Sequence, residues 1–450
     1  MNGAWYNNGM PYDVVVIGGG AGGMIAAGHA AEKGAQVLLL EKMPQTGTKL
    51  RLTGQKRCNV SNSRPLDDFI RMFGPNGRLL YCAFSRFFRD DLLDLLTRYG
   101  VKTKTEQDGR IFPISDDARD VNKALEQYLS EHGAHIQMPA KVSGIRTEEG
   151  CVTGVYTQEG SIPTSAVILA TGGATYASTG SSGDGYRIAE AIGHTIVPLR
   201  PALVPLTIKE IDIAQSLQGI SLHNVRLTAF DCAKDKISPA MTPKRETGRG
   251  IEGKRPHPPI IESRKGDVLF THFGLSGPAT LLMSLAIVDA LNNSTVSIAI
   301  DLLPELSEQQ IHEMLQNEFD KFGKRSIQTI LGDLLPHKMI SPMLQLLKLT
   351  PDKIANQITA GERGKLVRLM KCLCFSVEGP LSMDTAMVTA GGVSLREIDP
   401  QMMASRLIKG LYFCGEVMDI DAETGGYNLQ AAFSTGYIAG EQSAKYVLHK

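Results

Sequence analysis

The apolar run Tyr12-Asp13-Val14-Val15-Val16-Ile17 leads directly into Gly18-x-Gly20-x-x-Gly23 and then into an alanine-rich stretch of helical character. No other part of the chain restricts its fold so narrowly, because each glycine in this setting has a separate physical job. Gly18 permits the tight turn off the strand, Gly20 lets backbone amides approach a pyrophosphate, and Gly23 lets the helix pack close to the strand. The helix N-terminus at Ala21, Gly22 and Gly23 then presents free N–H groups and the positive end of its dipole to phosphate. Eighteen positions after Gly23, a second apolar strand over residues 36–40 ends in Glu41. A carboxylate at that place accepts hydrogen bonds from an adenosine ribose. A glycine pattern alone is weak evidence in a chain with 46 glycines. Strand, helix, second strand and terminal acid in register predict a dinucleotide-binding α/β unit, without choosing between NAD and FAD.

At 450 residues the chain is too long for one ordinary core, and two or three domains are expected. Formal net charge is zero, so no global field draws the protein to nucleic acid or an anionic membrane. The first strand begins at about Tyr12, which leaves no room for a cleavable signal peptide ahead of it. The longest apolar stretch, residues 278–291, is interrupted by Ser284 and Asp289 and is too short to span a bilayer. Seven cysteines are scattered without a C-x-x-C. Cys372-x-Cys374 has the wrong spacing for a redox pair and reads as the start of a strand. The expectation is a protein of the reducing cytoplasm with no disulfide framework, no structural zinc and no other metal site.

After Glu41 no third βα unit follows. A polar loop over 42–64 comes instead, then helical segments at 67–73, 77–88 and 89–99, a hairpin at 101–105 and 110–113, and a helix at 117–132. Short alternating runs precede a buried strand over 166–170. From Pro198 strand-like segments dominate, including 203–208 and 225–230. The loop over 232–265 then carries Lys244, Arg245, Arg249, Lys254, Arg255, Arg264 and Lys265 against Glu246, Glu252 and Glu262, and its composition reads as a solvated surface segment. Residues 304–369 are helical in pattern. Ser307 with Gln310 forms a capping box, and Thr350 before Pro351 reads as an N-cap with proline at the first helical position.

Two further strand ends carry chemistry. The strand ending at Ala170 runs into Thr171-Gly172-Gly173, a turn that can bring the chain back past a pyrophosphate. The segment 411–416 is a short strand ending in Gly415-Glu416, and Thr424-Gly425-Gly426-Tyr427-Asn428-Leu429 then opens a helix of small residues. An acid at such a strand end can bond ribityl hydroxyls. The amides near Asn428 and Leu429 can meet a flavin pyrimidine oxygen and stabilise negative charge there. The loop 46–62, with Lys49, Arg57, Cys58 and Asn59, has no apolar periodicity, and cofactor contact and surface loop both stay open for it.

The chain resembles the bacterial FAD-dependent oxidoreductases described as aminoacetone oxidase-like or BaiN-like. The matching blocks are the glycine fingerprint; Gly54-x-x-Arg57-Cys58-Asn59-x-x-Asn62; residues 270–278; and residues 388–393 through Gly415-Glu416 to Gly425-Gly426-Tyr427-Asn428. The resemblance implies an α/β fold: a two-dinucleotide-binding-type, Rossmann-like FAD domain interrupted by a β-barrel unit and a small helical unit. The expected boundaries are 1–197 for the first part of the FAD domain, 198–303 for the barrel, 304–369 for the helical insert, 370–384 for a return strand and 385–450 for the rest of the FAD domain. The long basic loop departs from the family pattern. The expected contacts to a non-covalent FAD are Gly18, Gly20, Ala21, Gly22, Gly23, Glu41, Lys42, Lys49, Arg57, Cys58, Asn59, Val142, Ala170, Thr171, Gly172, Gly415, Glu416, Asn428 and Leu429.

A second strand–glycine–helix unit for a nicotinamide is missing from the sequence, so NADH or NADPH enters only as a transient reductant, with oxygen as an alternative electron partner. The resemblance implies amine oxidation or reduction of an activated carbon–carbon double bond on a small or medium organic substrate. The alternative is an FAD-containing RNA-binding or tRNA-modifying protein, supported by the basic loop and opposed by the zero net charge. Neither a membrane nor a nucleic acid is the expected partner, and the oligomeric state is not readable. His272, in a polar, glycine-punctuated run that the resemblance places where insert meets flavin, is the candidate acid or base. Tyr427, flanking the flavin-facing helix, is its rival. Cys58 can instead line the pocket as a small hydrophobe.

Overall fold

A computed structural model describes residues 12–243 and 259–449. The chain forms two compact units, one of Met1–Arg200 with Met387–Lys450 and one of Pro201–Ala386. The centre of the first unit is a parallel sheet in which Val14–Ile17 pairs with Val37–Leu40 on one side and Ala166–Leu169 on the other. Leu411–Phe413 extends it beyond Ala166–Leu169, and His135–Gln137 extends it beyond Val37–Leu40. The innermost strands are buried along their whole length, which explains their unbroken Val/Ile/Leu runs: both faces are covered. Two helices lie against each other here, Ala21–Glu32 and Tyr427–Leu448. A Cβ added at Gly436 would meet Gly22 O at 2.3 Å, and one added at Gly440 would meet Ala26 O at 2.4 Å. The small residues of both helices are there because the backbones touch.

The second unit contains a closed six-stranded antiparallel barrel. Its strands in ring order are Leu206–Ile208, Gly274–Ser276, Ile260–Phe270, Ser221–Phe230, Ser297–Asp301 and Leu373–Pro380. Its helices include Pro278–Leu291, Glu308–Lys321, His337–Leu347 and Ala360–Lys371. The Ser307–Gln310 capping box forms as the sequence predicts, with Gln310 N–H donating to Ser307 Oγ at 3.2 Å.

Several local expectations change. No helix starts at Thr350-Pro351: the backbone there pairs instead, Gln328 N–H to Pro351 O at 3.3 Å and Ile327 N–H to Lys353 O at 2.8 Å. The cap lies at Thr359, with Glu362 completing its capping box. The stretch 77–88 is not one helix but a 3-10 turn, Gly74–Leu80, followed by Tyr81–Arg86. A Cβ at Gly77 would meet Ile70 O at 2.2 Å, so that turn is wedged against its neighbour. The strand expected over 203–208 is shorter, Leu206–Ile208, and Leu203 in the left-handed region separates it from the preceding strand Ile196–Ala202. Lys244, Arg245, Arg249, Lys254 and Arg255 lie outside the described residues. Arg264 and Lys265, assigned to the same loop from composition, are in the strand Ile260–Phe270, paired with Leu227 and Arg226. Cross-strand pairing there prevails over a loop-like composition.

Among the described residues no helix is long and apolar enough to cross a membrane. Nor is there, among those residues, a cluster of three or more His, Cys, Asp or Glu side chains that could hold a metal ion.

Candidate functional site

The fingerprint turn is built as its glycines require. Gly18 has φ +109°, and a Cβ there would lie 2.5 Å from Ala170 O, so the first turn packs against the start of the Ala170-Thr171-Gly172 turn. A Cβ at Gly23 would lie 1.9 Å from Gly18 O, which brings the helix onto the strand end. Gly20 differs: a Cβ there would meet nothing within 4 Å. The helical ladder begins with Met24 N–H donating to Gly20 O at 2.9 Å, so the N–H groups of Ala21, Gly22 and Gly23 precede it. Open space therefore stands where a helix N-terminus points its donors.

Glu41, 9% exposed, is held by two backbone donors. Gly19 N–H donates to its Oε2 and Met43 N–H to its Oε1, both at 2.7 Å. Two carboxylate oxygens offer about four lone-pair sites, so each oxygen keeps a further acceptor position. Ala140 N–H donates to Glu41 O at 2.7 Å, bringing the segment that leads to buried Val142 past the same strand end. Thr171 Oγ1 is buried without a hydrogen-bond partner.

A second group of contacts joins distant segments. Lys49 Nζ donates to Glu416 Oε2 at 2.7 Å and to Thr175 Oγ1 at 2.9 Å. Glu416 Oε1 accepts from Thr389 N–H at 2.9 Å, and Thr389 Oγ1 accepts from Ala174 N–H at 2.8 Å. A Cβ at Gly173 would lie 2.8 Å from the Glu416 carboxylate, so the turns after Ala166–Leu169 and Leu411–Phe413 meet at this acid. Asn428 closes the loop before its helix: its side chain accepts from Ala422 N–H and donates to Ala422 O, both at 2.9 Å. Asn62 Nδ2 donates to Gly425 O at 3.0 Å, and a Cβ at Gly426 would meet Ser61 O at 2.3 Å. The end of the Gly54–Asn62 motif is thus packed against the start of the C-terminal helix.

Other expected residues are engaged elsewhere. Lys42 pairs with Asp184 and Ser182. Arg57 bonds Glu106 at 2.8 Å and lies 3.8 Å over the Phe112 ring. Asn59 Oδ1 accepts from Ile111 N–H. Cys58 is fully buried, and burial pushes its thiol up to about 12, so it stays protonated. Tyr427 is 3% exposed, edge-on to Phe69 at 4.7 Å, and burial raises its phenol pKa. His272, in the second unit, is exposed in the turn between Ile260–Phe270 and Gly274–Ser276. Thr175 and Thr389, both fully buried, were not foreseen. Thr175 follows the Gly172-Gly173 turn and Thr389 stands two positions before Gly391 in the block 388–393, and that adjacency to marked glycines is the signal that could have found them.

The chain matches the family described as HI0933-like protein Rossmann domain over residues 12–442. It is 31% identical over 434 residues to the 3-dehydro-bile acid delta(4,6)-reductase of Clostridium scindens, covering 96% of this chain and 98% of that protein. It is 29% identical over 428 residues to the ribosomal RNA dihydrouridine synthase of Haemophilus influenzae, covering 94% and 96%. With the ribosomal RNA dihydrouridine synthase of Escherichia coli it shares 27% identity over 432 residues, covering 96% and 97%.

Proposed function

This chain belongs to the HI0933-like Rossmann family of flavin-dependent oxidoreductases, and from that premise we propose that it reduces a carbon–carbon double bond polarised by a neighbouring carbonyl. The observation that carries this reading is the full-length similarity to relatives whose names denote that chemistry. One acts on a 3-oxo bile acid with double bonds at positions 4 and 6, and the others saturate uridine in ribosomal RNA. Amine oxidation, equally open from the sequence, has no such support.

The residues fit an FAD. Gly20 leaves open space before a helix N-terminus, and Glu41 is a buried carboxylate with acceptor positions to spare. FAD supplies hydride transfer through flavin N5 when bound. In this reading the amides of Ala21, Gly22 and Gly23 hold the pyrophosphate and Glu41 the adenosine ribose. Glu416, held by Lys49 and Thr389, takes the ribityl hydroxyls, and the amides at Asn428 and Leu429 take the pyrimidine oxygen. His272, exposed in its turn, remains the proposed proton donor to substrate carbon on the strength of the family resemblance, and Tyr427 is set aside because it is sealed against Phe69. NADH or NADPH is the proposed reductant, and the substrate a small or medium enone.

A second substrate reading, uridine in RNA, is favoured by the two dihydrouridine synthase relatives. The test is anaerobic mixing of the reduced holoprotein with a 3-oxo-Δ4 steroid, with cyclohexenone and with a ribosomal RNA fragment. Flavin reoxidation with product gaining two hydrogens identifies the substrate class. RNA turnover that falls steeply with salt supports the second reading, since phosphate contacts release counterions. If none reoxidises the flavin while an amine bleaches the oxidised protein, double-bond reduction is wrong.

A further inference from the structure

The flavin site makes no use of Cys372-x-Cys374, which its spacing excludes from being a C-x-x-C redox pair. The structure nevertheless brings the two sulfurs together. Cys372 ends the helix Ala360–Lys371, with φ −154° and ψ 67°, and Cys374 is the second residue of the barrel strand Leu373–Pro380. Where helix passes into strand, both side chains turn the same way, and their Sγ atoms lie 3.3 Å apart. A disulfide bond is about 2.05 Å long, so closure asks for a shift of roughly 1.3 Å.

Both thiols are free and partly exposed. The backbone on either side is fixed. Leu373 and Cys374 are in register with Ile300 and Ala299 of the neighbouring strand. Lys371 Nζ bonds Asp301 Oδ2 at 2.6 Å, Leu306 O at 2.7 Å and Leu303 O at 3.0 Å. The sulfurs are therefore held close by a clamped helix end and a barrel strand. The Cys372 thiol, hydrogen-bonded to Cys374, depresses the Cys374 pKa; burial opposes this and the Lys234 ammonium assists it. Cys374 is then the better nucleophile of the two, since the thiolate is the reactive form.

We propose that Cys372 and Cys374 are a reversible dithiol–disulfide couple that exchanges with low-molecular-weight disulfides. In the first step the Cys374 thiolate attacks one sulfur of the small disulfide, breaking its S–S bond, releasing one thiolate and leaving a mixed disulfide. Cys372 then loses its proton to solvent and attacks Cys374 Sγ, forming the intramolecular bond and expelling the second thiolate. Two protein thiols are oxidised, and one small disulfide is reduced to two thiols.

The test equilibrates the reduced full-length protein in glutathione buffers of increasing oxidised fraction, then alkylates in acid and maps peptides by mass. The expected result is a peptide containing both residues that has lost two hydrogens and escaped alkylation, while Cys82 and Cys151 remain alkylated. Dithiothreitol should restore both thiols. Cys372→Ser should accumulate a stable glutathione adduct on Cys374. The proposal is overturned if both thiols stay alkylatable at every poise, or if Cys374 pairs with Cys232 instead. It is also overturned if the wild-type protein stops at the mixed disulfide.

Discussion

Lys49 and Glu416, 367 positions apart in the chain, meet with Nζ 2.7 Å from Oε2. The contact ties the loop after the second parallel strand to the turn after Leu411–Phe413, and the two side chains are 25% and 19% exposed. Lys49→Met leaves a half-buried carboxylate without its cation, although Thr389 N–H still holds its other oxygen. Hydrogen bonds to charged groups contribute about 1.5–3 kcal/mol, and partial exposure places this one at the low end. FAD should bind about tenfold more weakly, measured by titrating apoprotein with FAD. A dissociation constant within about twofold of wild type would remove Glu416 positioning from the role of Lys49.

Glu41 makes a different prediction, because its carboxylate serves the fold and the ribose together. Glu41→Ala strands the N–H groups of Gly19 and Met43, so the apoprotein itself should lose about 1–3 kcal/mol. Glu41→Gln keeps one acceptor oxygen and should restore part of that stability while still weakening FAD binding. Urea unfolding of the apoprotein reads the first effect, and FAD titration the second. Unchanged FAD affinity in both variants would sink the ribose assignment.

Gly20 and Gly23 should separate cofactor approach from packing. At Gly23 a Cβ has a backbone oxygen 1.9 Å away, while at Gly20, with φ −80°, it has open space. Gly23→Ala should therefore destabilise the apoprotein by about 3 kcal/mol or more, at or beyond the upper end of overpacking. Gly20→Ala should change apoprotein stability by less than about 1 kcal/mol yet weaken FAD binding. Equal melting temperatures for the two apoproteins would contradict this division.

Much of the first unit was legible because its strands are covered on both faces and so read as unbroken apolar runs: Val14–Ile17, Val37–Leu40, Ala166–Leu169 and Leu411–Phe413. The tight turn read at Gly18 and the close helix packing read at Gly23 are both present in the backbone. Local rules failed where tertiary pairing competed with them. Thr350-Pro351 has every sign of a helix start, but the strand-like bridge of Ser326 to Ile354 holds the following residues extended. Lys265 looks like loop and is strand because Arg226 lies opposite it. Thr175 and Thr389 escaped notice because a buried hydroxyl bonded across the fold leaves no periodic trace. Cys372 and Cys374 were judged by spacing, which does not record that the chain turns from helix to strand between them.

His29 predicts the direction of acid destabilisation. It is 2% exposed, stacked on Tyr437 with ring centroids 3.7 Å apart, and its Nδ1 lies 3.0 Å from Glu32 Oε2 while its Nε2 is buried without a partner. Burial lowers its pKa from 6.5 to about 4, and the Glu32 carboxylate offsets only part of that. Between those two values the unfolded chain binds a proton that the folded protein refuses. Stability therefore falls as pH drops from 6.5 towards 4, by about 3 kcal/mol in all from this residue. His194, also lowered by burial, acts with the same sign. Glu32, held below the ordinary carboxylate range, adds its loss only below about pH 4.5, so the upper part of the window belongs to the histidines. His29→Phe keeps a ring against Tyr437 and removes the titration. Urea unfolding at about pH 7, 5.5 and 4.5 should show a shallower fall in the variant than in wild type. Parallel curves would mean that His29 is protonated in the folded protein, and that its burial does not hold the ring neutral.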